Sequence, residues 1–388
     1  MARVLGMRLA VFCDYRYRRE ATGFTVERPF GLFLMGLAEH CERLVLVGRL
    51  DPGAGSFPYR VVDTEVALLP SYAAASDVRA VLGATLGAMA SFWRLLDDVD
   101  TVWLLGPHPW CIAFAAMARV RGRRAVLGVR QDLPRLIRLR HPRRRVLHAA
   151  ADALELAYRG LARRLPVVVV GPELAASYRR ARELHELYVS LLREADLADP
   201  GLPGRSYDGP VLIMLSVGRL APEKNPLLLA DVLACALRRD PRWRLDVCGD
   251  GPLAAPLAER LRELGLADRG RLLGHVPVDG GLVELYRESH VFMHVSLTEG
   301  MPQVLLEAFA ARLPVAATAV GGVPEMVAGR GLLVEPGDAP AAARAAGRLV
   351  DEPGLRAELQ DAGEALARAH TLESECASLA TFLAGASA

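Results

Sequence analysis

"VLIMLSVGRLAPEKNP", residues 211–226, decides the fold. A short apolar run without helical period ends in a glycine, then in a loop carrying Arg219 and Lys224, then in Pro226, which suits the first turn of a helix. Strand, loop and helix follow one another, and the pattern continues downstream, with apolar runs over 243–248, 271–274, 290–295, 314–318 and 331–334 separated by helical stretches. Upstream the same alternation places strands over 8–13, 43–48, 101–105, 125–129, 166–170 and 187–191. Such alternation is the mark of βαβ units, so the expected class is α/β, with two Rossmann-like doubly wound sheets of about six strands each. The Asp-, Pro- and Gly-rich stretch 196–210 is the expected linker between a first domain, 1–200, and a second, 201–370. Ligands of such sheets bind beyond the carboxyl ends of the strands, so the expected site is the cleft where the two domains face each other.

Composition narrows the function. Lys224 is the sole lysine among 47 basic residues, the rest being arginine. A base-composition bias accounts for the arginines and leaves the exception open, because a compact ammonium and a planar guanidinium are not interchangeable where space is limited. The net charge is +2, but residues 1–200 hold 29 basic against 21 acidic side chains and residues 201–388 hold 18 against 24. The N-terminus lacks the order of a secretory signal, and the nearest candidate for a membrane span, 102–118, is interrupted by Pro107, His108 and Pro109, so a cytoplasmic protein is expected. Six scattered cysteines with no C-x2-C pair indicate neither a metal site nor a disulfide framework.

The loops after the strands of the second half carry the chemistry. Arg219 and Lys224 stand at a helix start, where the dipole is already positive, which makes sense if an anion lies between them. No Ser or Thr follows the lysine and the glycine spacing is wrong for a Walker loop, so phosphate binding of another kind is expected. In "SLTEGMPQVLLEAFAARLPV" (296–315) Glu299 precedes a helix that is apolar except for Glu307, and a buried carboxylate needs a partner. Gly300 lets a main chain approach closely, Pro302 suits the first helical position, and the amides of Gln303, Val304 and Leu305 are expected to face an anion. Carboxylate, amide cradle and carboxylate, about 10 Å from end to end, match a molecule built of sugar, diphosphate and second sugar. Glu299 alone also reads as an acid favoured at a helix entry. "GHVP" (274–277) offers main chain to a base edge, and "AVGGVPEMV" (319–327) reads as a turn and helix cap with Glu325 on its first turn.

Taken together, "SVGRLAPEKN", "CGDGPLAAPLAERLRELGL", "RLLGHVP", "SLTEGMPQVLLEAFAARLPVAATAVGGVPEMV" and "GLLVEPGD" resemble glycosyltransferase family 4, retaining enzymes of GT-B fold, in the order in which that family carries them. The resemblance implies that Arg219 and Lys224 clamp the diphosphate of a UDP- or GDP-sugar, and that Glu299 faces the transferred sugar. It further implies that Glu307 binds the ribose, that the amides near Val304 complete the phosphate site, and that main chain near His275 and Val276 receives the base. Neither metal nor cofactor is needed on this reading. The Asp98-Val99-Asp100 triplet precedes a strand and reads as a surface turn. The last helix, about 371–384 within a segment 371–388, is expected to cross back onto the first domain.

The first half departs from that family. After its first strand comes "DYRYRREATGF" (14–24), with only Gly23 where a glycine pair is expected, and Gln131 in "GVRQDLP" (128–134) stands where a histidine is usual. Acceptor-side candidates are therefore Arg130, Gln131, Asp132, His108 and Gly23. Residues 121–145 contain ten arginines, and in "RLIRLRHPRRR" (135–145) the charges interleave with Leu136, Ile137 and Leu139. This is either a solvated face or a surface that meets an anionic membrane and a lipid-linked acceptor. Nucleic acid is excluded as a partner by the lack of an aromatic platform. The expected activity is transfer of a hexose to a hydroxyl on a small molecule, glycan or lipid-linked acceptor. The alternative is a non-catalytic accessory protein that binds a nucleotide sugar.

Overall fold

A computed structural model describes residues 6–20, 23–28, 30–51, 53, 57, 59–61, 64–70, 78–197, 205–277 and 281–385. The chain divides into two compact units, Met1–Leu191 with Leu372–Ala388, and Leu192–Thr371. Much of the expected linker, 198–204, lies outside the described residues.

In chain order the first unit contains β1 (Arg8–Glu20), β2 (Gly23–Val26), α1 (Phe30–Ala38), β3 (Arg43–Leu50), β4 (Tyr59–Val61), β5 (Glu65–Leu69), α2 (Val78–Leu95), β6 (Thr101–Gly106), α3 (Pro109–Val120), β7 (Arg124–Val129), α4 (Leu133–Arg140), α5 (Arg145–Ala162), β8 (Val167–Val170), α6 (Pro172–Ser177) and β9 (Leu184–Leu187). The second contains β10 (Leu212–Val217), α7 (Leu227–Leu237), β11 (Trp243–Cys248), α8 (Ala254–Glu263), β12 (Gly270–Gly274), α9 (Leu282–Glu288), β13 (Val291–His294), α10 (Gln303–Ala310), β14 (Val315–Thr318), α11 (Val323–Val327), β15 (Leu332–Val334), α12 (Ala339–Asp351) and α13 (Pro353–Ala369). The last helix, α14 (Leu372–Ala384), belongs to the first unit.

The second sheet runs β12-β11-β10-β13-β14-β15, and every pair in it is parallel. All six strands expected there are present, within a residue or so of the expected bounds. Their side chains explain why they are legible: strands covered on both faces read as near-continuous apolar runs, and Leu212, Met214 and Leu215 of β10 are fully buried.

The first sheet corrects the expectation of about six parallel strands. Among the described residues it has nine, and β1–β2 and β2–β4 are antiparallel. β1 does not stop at Cys13. Residues 9–13 pair with β6, the register against β3 shifts between Phe12 and Arg16, and residues 17–20 then turn back on β2 as a hairpin. The charges of "DYRYRRE" (14–20) conceal this extension in the sequence. β9 also lies three residues earlier than the expected 187–191, because Leu187 is buried whereas the four residues after it leave the ladder.

α14 packs on α1. Leu372, Cys376, Leu379, Ala380 and Leu383 are buried in the same core as Phe33, Leu34 and Leu37. Gly36 faces Leu372 and Cys376 so closely that a Cβ there would sit 3.0 Å from Leu372. Burying three leucines is worth roughly 1.5–3 kcal/mol each, enough to hold this segment onto the first unit.

Candidate active site

Four loops at the carboxyl end of the second sheet carry the expected residues. After β10, Gly218 leads into Arg219 and a single helical turn, Pro222–Lys224. Asn225 then adopts the left-handed conformation, φ 51°, to redirect the chain into α7. Arg219 is exposed and donates to Glu223 at 2.8 Å. Lys224 is three-quarters buried and its ammonium donates to Oε1 of Glu299. The two cations expected to share an anion thus each hold a carboxylate.

Glu299 is only 8% exposed and its oxygen Oε1 is crowded with donors. Besides Lys224, Ser296 Oγ donates to it at 2.7 Å, and His294 Nε2 lies 3.1 Å away, off the line of a hydrogen bond. Burial alone would raise this carboxyl, but the His294 ring and the Lys224 ammonium outweigh it and hold the pKa down at about 2. Oε1 is fully engaged, which leaves Oε2 as the oxygen with acceptor capacity for a ligand. His294 is buried and belongs to this network.

Glu307, about one turn into α10, behaves oppositely. Burial pushes its carboxyl above the usual range, and its partner, the Tyr286 hydroxyl at 2.7 Å, offsets only part of that shift. The buried acid read in the sequence as needing a partner therefore has a neutral one. Pro302 caps α10 in an extended conformation instead of occupying its first turn, and the helix starts at Gln303. The amide of Leu305 is engaged by the carbonyl of Pro302 at 3.1 Å, so of the three expected cradle amides those of Gln303 and Val304 remain to meet an anion. Near the expected base site, the amide of His275 donates to Asp250 Oδ2 at 3.0 Å, and the His275 side chain is exposed.

Two glycine pairs, of which the sequence reading leaves Gly321 and Gly322 as a turn, hold these loops in place. Gly321, φ 53°, and Gly322 lie against the Glu299–Gly300 loop: a Cβ on Gly321 would collide with the carbonyl oxygen of Glu299, and one on Gly322 with that of Gly300. The Gly322 amide also bonds the Gly300 carbonyl at 3.2 Å. Gly249 and Gly251 do the same for the other loop, where a Cβ would collide with the carbonyls of Gly218 and Leu220. The signal was available as paired glycines directly after strands, where close backbone approach has no other remedy.

The first-sheet candidates separate into two groups. His108, the N-cap of α3, accepts from the Trp110 amide through Nδ1 at 3.2 Å. The ring is therefore neutral with its proton on Nε2, which faces Asp14 at 3.9 Å. Burial lowers the His108 pKa, in keeping with this. Arg130, directly after β7, is turned inward onto Tyr15. Gln131 and Asp132 are exposed, and Asp132 caps α4 by accepting from the Arg135 amide at 2.9 Å. Gly23 lies opposite Glu20 at the end of the hairpin, six residues beyond Asp14 and on the order of 20 Å along the strand, so it is not gathered with His108 and Arg130. Asp98 and Asp100 sit in the turn before β6, where Asp100 holds Arg8 through two side-chain bonds.

Residues 207–366, inside the second unit, match the family of glycosyl transferases group 1. A D-inositol 3-phosphate glycosyltransferase of Salinispora tropica is 35% identical over 217 residues, which is 53% of this chain and 42% of that protein. An exopolysaccharide phosphotransferase of Streptomyces coelicolor is 38% identical over 170 residues, 43% of this chain and 18% of that protein. The chain thus spans less than half the length of these relatives. The crystal structure of Anabaena HepE in complex with UDP superposes with a TM-score of 0.70 at 16% identity, covering 98% of this chain and all of that one. The two Rossmann-like sheets are those of the GT-B fold, and residues 207–366 of the second unit carry the region that matches the group 1 glycosyl transferases.

Proposed function

We propose that the protein is a retaining glycosyltransferase that moves a hexose from a nucleotide-diphosphate sugar, with UDP the leading nucleotide, to a hydroxyl acceptor. The observation that carries this is the Lys224–Glu299 pair, held by Ser296 and His294 beside a small cavity lined also by Gly218 and Arg219. Diphosphate binding needs free positive charge. The exposed Arg219–Glu223 pair is worth no more than about 1 kcal/mol and yields readily, and the Lys224 ammonium has three donor hydrogens, so it can meet a phosphate while still touching Glu299. Amides of Gln303 and Val304 at the start of α10 add a second set of donors. Glu299 Oε2 takes hydroxyls of the transferred sugar, and Glu307 takes the ribose. UDP is favoured because it is the nucleotide bound in the structure of HepE.

In the reaction the acceptor oxygen forms its bond to the anomeric carbon as the bond from that carbon to the diphosphate oxygen breaks, and the acceptor proton passes to the departing phosphate. The residues orient both partners and stabilise the charge that grows on the diphosphate. A point charge suits this place because it can turn between carboxylate and bridging oxygen, which a planar fork does less well.

The acceptor side is assigned to the carboxyl end of the first sheet, with His108 and Arg130 as its polar groups and Gln131 and Asp132 at its rim. The surface from α4 into α5 suits a peripheral encounter with an anionic membrane and a lipid-linked acceptor: Val146 is 82% exposed and Leu147 36%, next to exposed Arg143, Arg144 and Arg145. No described helix is long and apolar enough to cross a membrane. A second reading, nucleotide-sugar binding without turnover, draws on Gln131, a neutral exposed amide where the family resemblance leads one to expect histidine.

The test is a thermal-shift panel of UDP, GDP, ADP and dTDP and their sugars on the purified protein and on Lys224→Ala, followed by measurement of nucleotide release. Stabilisation by one nucleotide that falls in the variant, with release of that nucleotide from its sugar, supports transfer. Equal stabilisation of both proteins by every ligand refutes the phosphate assignment, and binding without release favours the second reading.

A further inference from the structure

At the carboxyl end of the first sheet, β1, β6 and β7 are neighbours, with Cys13 opposite Leu105 and Gly106 opposite Val129. The residues that follow these positions, Asp14 and Tyr15, His108, and Arg130, therefore emerge side by side. Tyr15 and Asp14 fall within the register shift between Phe12 and Arg16, the type of irregularity that re-aims side chains at a strand end.

The electrostatics of this edge are unusual. Asp14 has a cation of its own, with Arg49 Nε 2.6 Å from Oδ1. Arg130 has no carboxylate within ion-pair distance among the described residues. Its guanidinium lies over the Tyr15 ring, 4.9 Å from the centroid, Nη1 donates to the Tyr15 hydroxyl, and Nε is buried with no acceptor. A largely desolvated cation without a counter-charge is costly. Tyr15 accepts from Arg130, which leaves its own O–H to be donated, and the neutral His108 carries its proton on Nε2, 3.9 Å from Asp14 Oδ2. Cation and hydroxyl thus both offer donors to an oxyanion.

We propose that the acceptor carries a phosphoryl group, and that Arg130 with Tyr15 grips it at this edge. The word acceptor rests on the transferase reading above. The anion site itself does not, since it is built entirely from the first unit. A phosphoryl group is favoured over a planar carboxylate because the donors come from different strands and do not share one plane, which suits a tetrahedral group with several terminal oxygens.

The experiment titrates glycerol 3-phosphate, and separately phosphatidylcholine vesicles with and without phosphatidic acid, against Lys224→Ala protein, in which the donor-side ammonium is absent. The same titrations follow on the double variants Lys224→Ala/Arg130→Gln, Lys224→Ala/Arg130→Lys and Lys224→Ala/Tyr15→Phe at matched ionic strength. Tyr15→Phe removes only an oxygen and guards against misfolding of the Arg130 variants. Loss of affinity of about tenfold or more in Arg130→Gln, with partial retention in Arg130→Lys, is expected. Binding of glycerol 3-phosphate identifies a soluble acceptor and binding confined to phosphatidic acid vesicles a lipid-linked one; both support the site. If neither probe is weakened by Arg130→Gln or Tyr15→Phe, the proposal is overturned, whatever the outcome of the nucleotide panel. If the anion binds but no nucleotide does, the site stands and the transferase reading falls.

Discussion

The carboxyl edges of the two sheets are built on opposite plans. On the second, each named cation has a carboxylate, Arg219 with Glu223 and Lys224 with Glu299, and each site loop is locked by a glycine pair from the next loop. On the first, Arg130 stands without a carboxylate among the described residues, and the chain around Tyr15 is bent out of register. On the reading proposed above, the difference teaches that a site for a common donor can be a self-neutralised frame, whereas a site for one particular partner stores its complementarity as an unpaired charge.

Five substitutions can break or sharpen that contrast. The largest effect is expected from Lys224→Ala, which removes the ammonium proposed to lie beside the leaving group and should lower kcat/KM for sugar transfer by about 10²–10³-fold; a loss under fivefold would mean the pair is merely structural. Next, Gly321→Ala places a Cβ against the Glu299 carbonyl at a left-handed position, and should cost about 2–3 kcal/mol in urea unfolding. Full stability in this variant would show that the loops are not locked.

Glu307→Gln comes third and should act in two directions. Its carboxyl is raised by burial, so the acid's favourable contribution is complete below the unfolded pKa, near 4.3, and is lost as pH rises through the folded value; the amide, which never ionises, should melt higher at pH 8 and no higher at pH 4. Nucleotide affinity should fall by about tenfold at the same time. Glu299 supplies the counter-example. Its carboxyl is held down at about 2, so it contributes stability above the unfolded value that disappears as pH falls through about 2, and a glutamine there should melt lower than the parent at pH 7. The smallest effect is expected from Arg219→Ala, about threefold or less on nucleotide affinity and fading with added salt, because the side chain is 74% exposed.

Legibility in the sequence followed the same divide. The second sheet could be read because its strands are covered on both faces and appear as apolar runs, and Lys224, Glu299 and Glu307 stand out as charges in such surroundings. Hidden were the features that depend on what a residue meets across space. Leu305 has its amide taken by Pro302, His275 has its amide taken by Asp250, and Gly321 is required by a carbonyl twenty-two residues away in the chain. In the first sheet the hairpin β1–β2 was concealed by arginines that alternate with Tyr15 and Tyr17, of which only Tyr17 is fully buried. Arg130 was named among several neighbours, but only its position over Tyr15 separates it from Gln131 and Asp132.

The return of α14 to α1 has a consequence for biosynthesis. The groove on α1 is filled by Leu372, Cys376 and Leu379, which leave the ribosome only after the whole of residues 192–371. At about 5–20 residues per second, the amino-terminal body waits roughly ten seconds or more with an open hydrophobic seam, while the later body can mature at once. Nascent chains stalled before residue 372 should therefore be the species that chaperones hold.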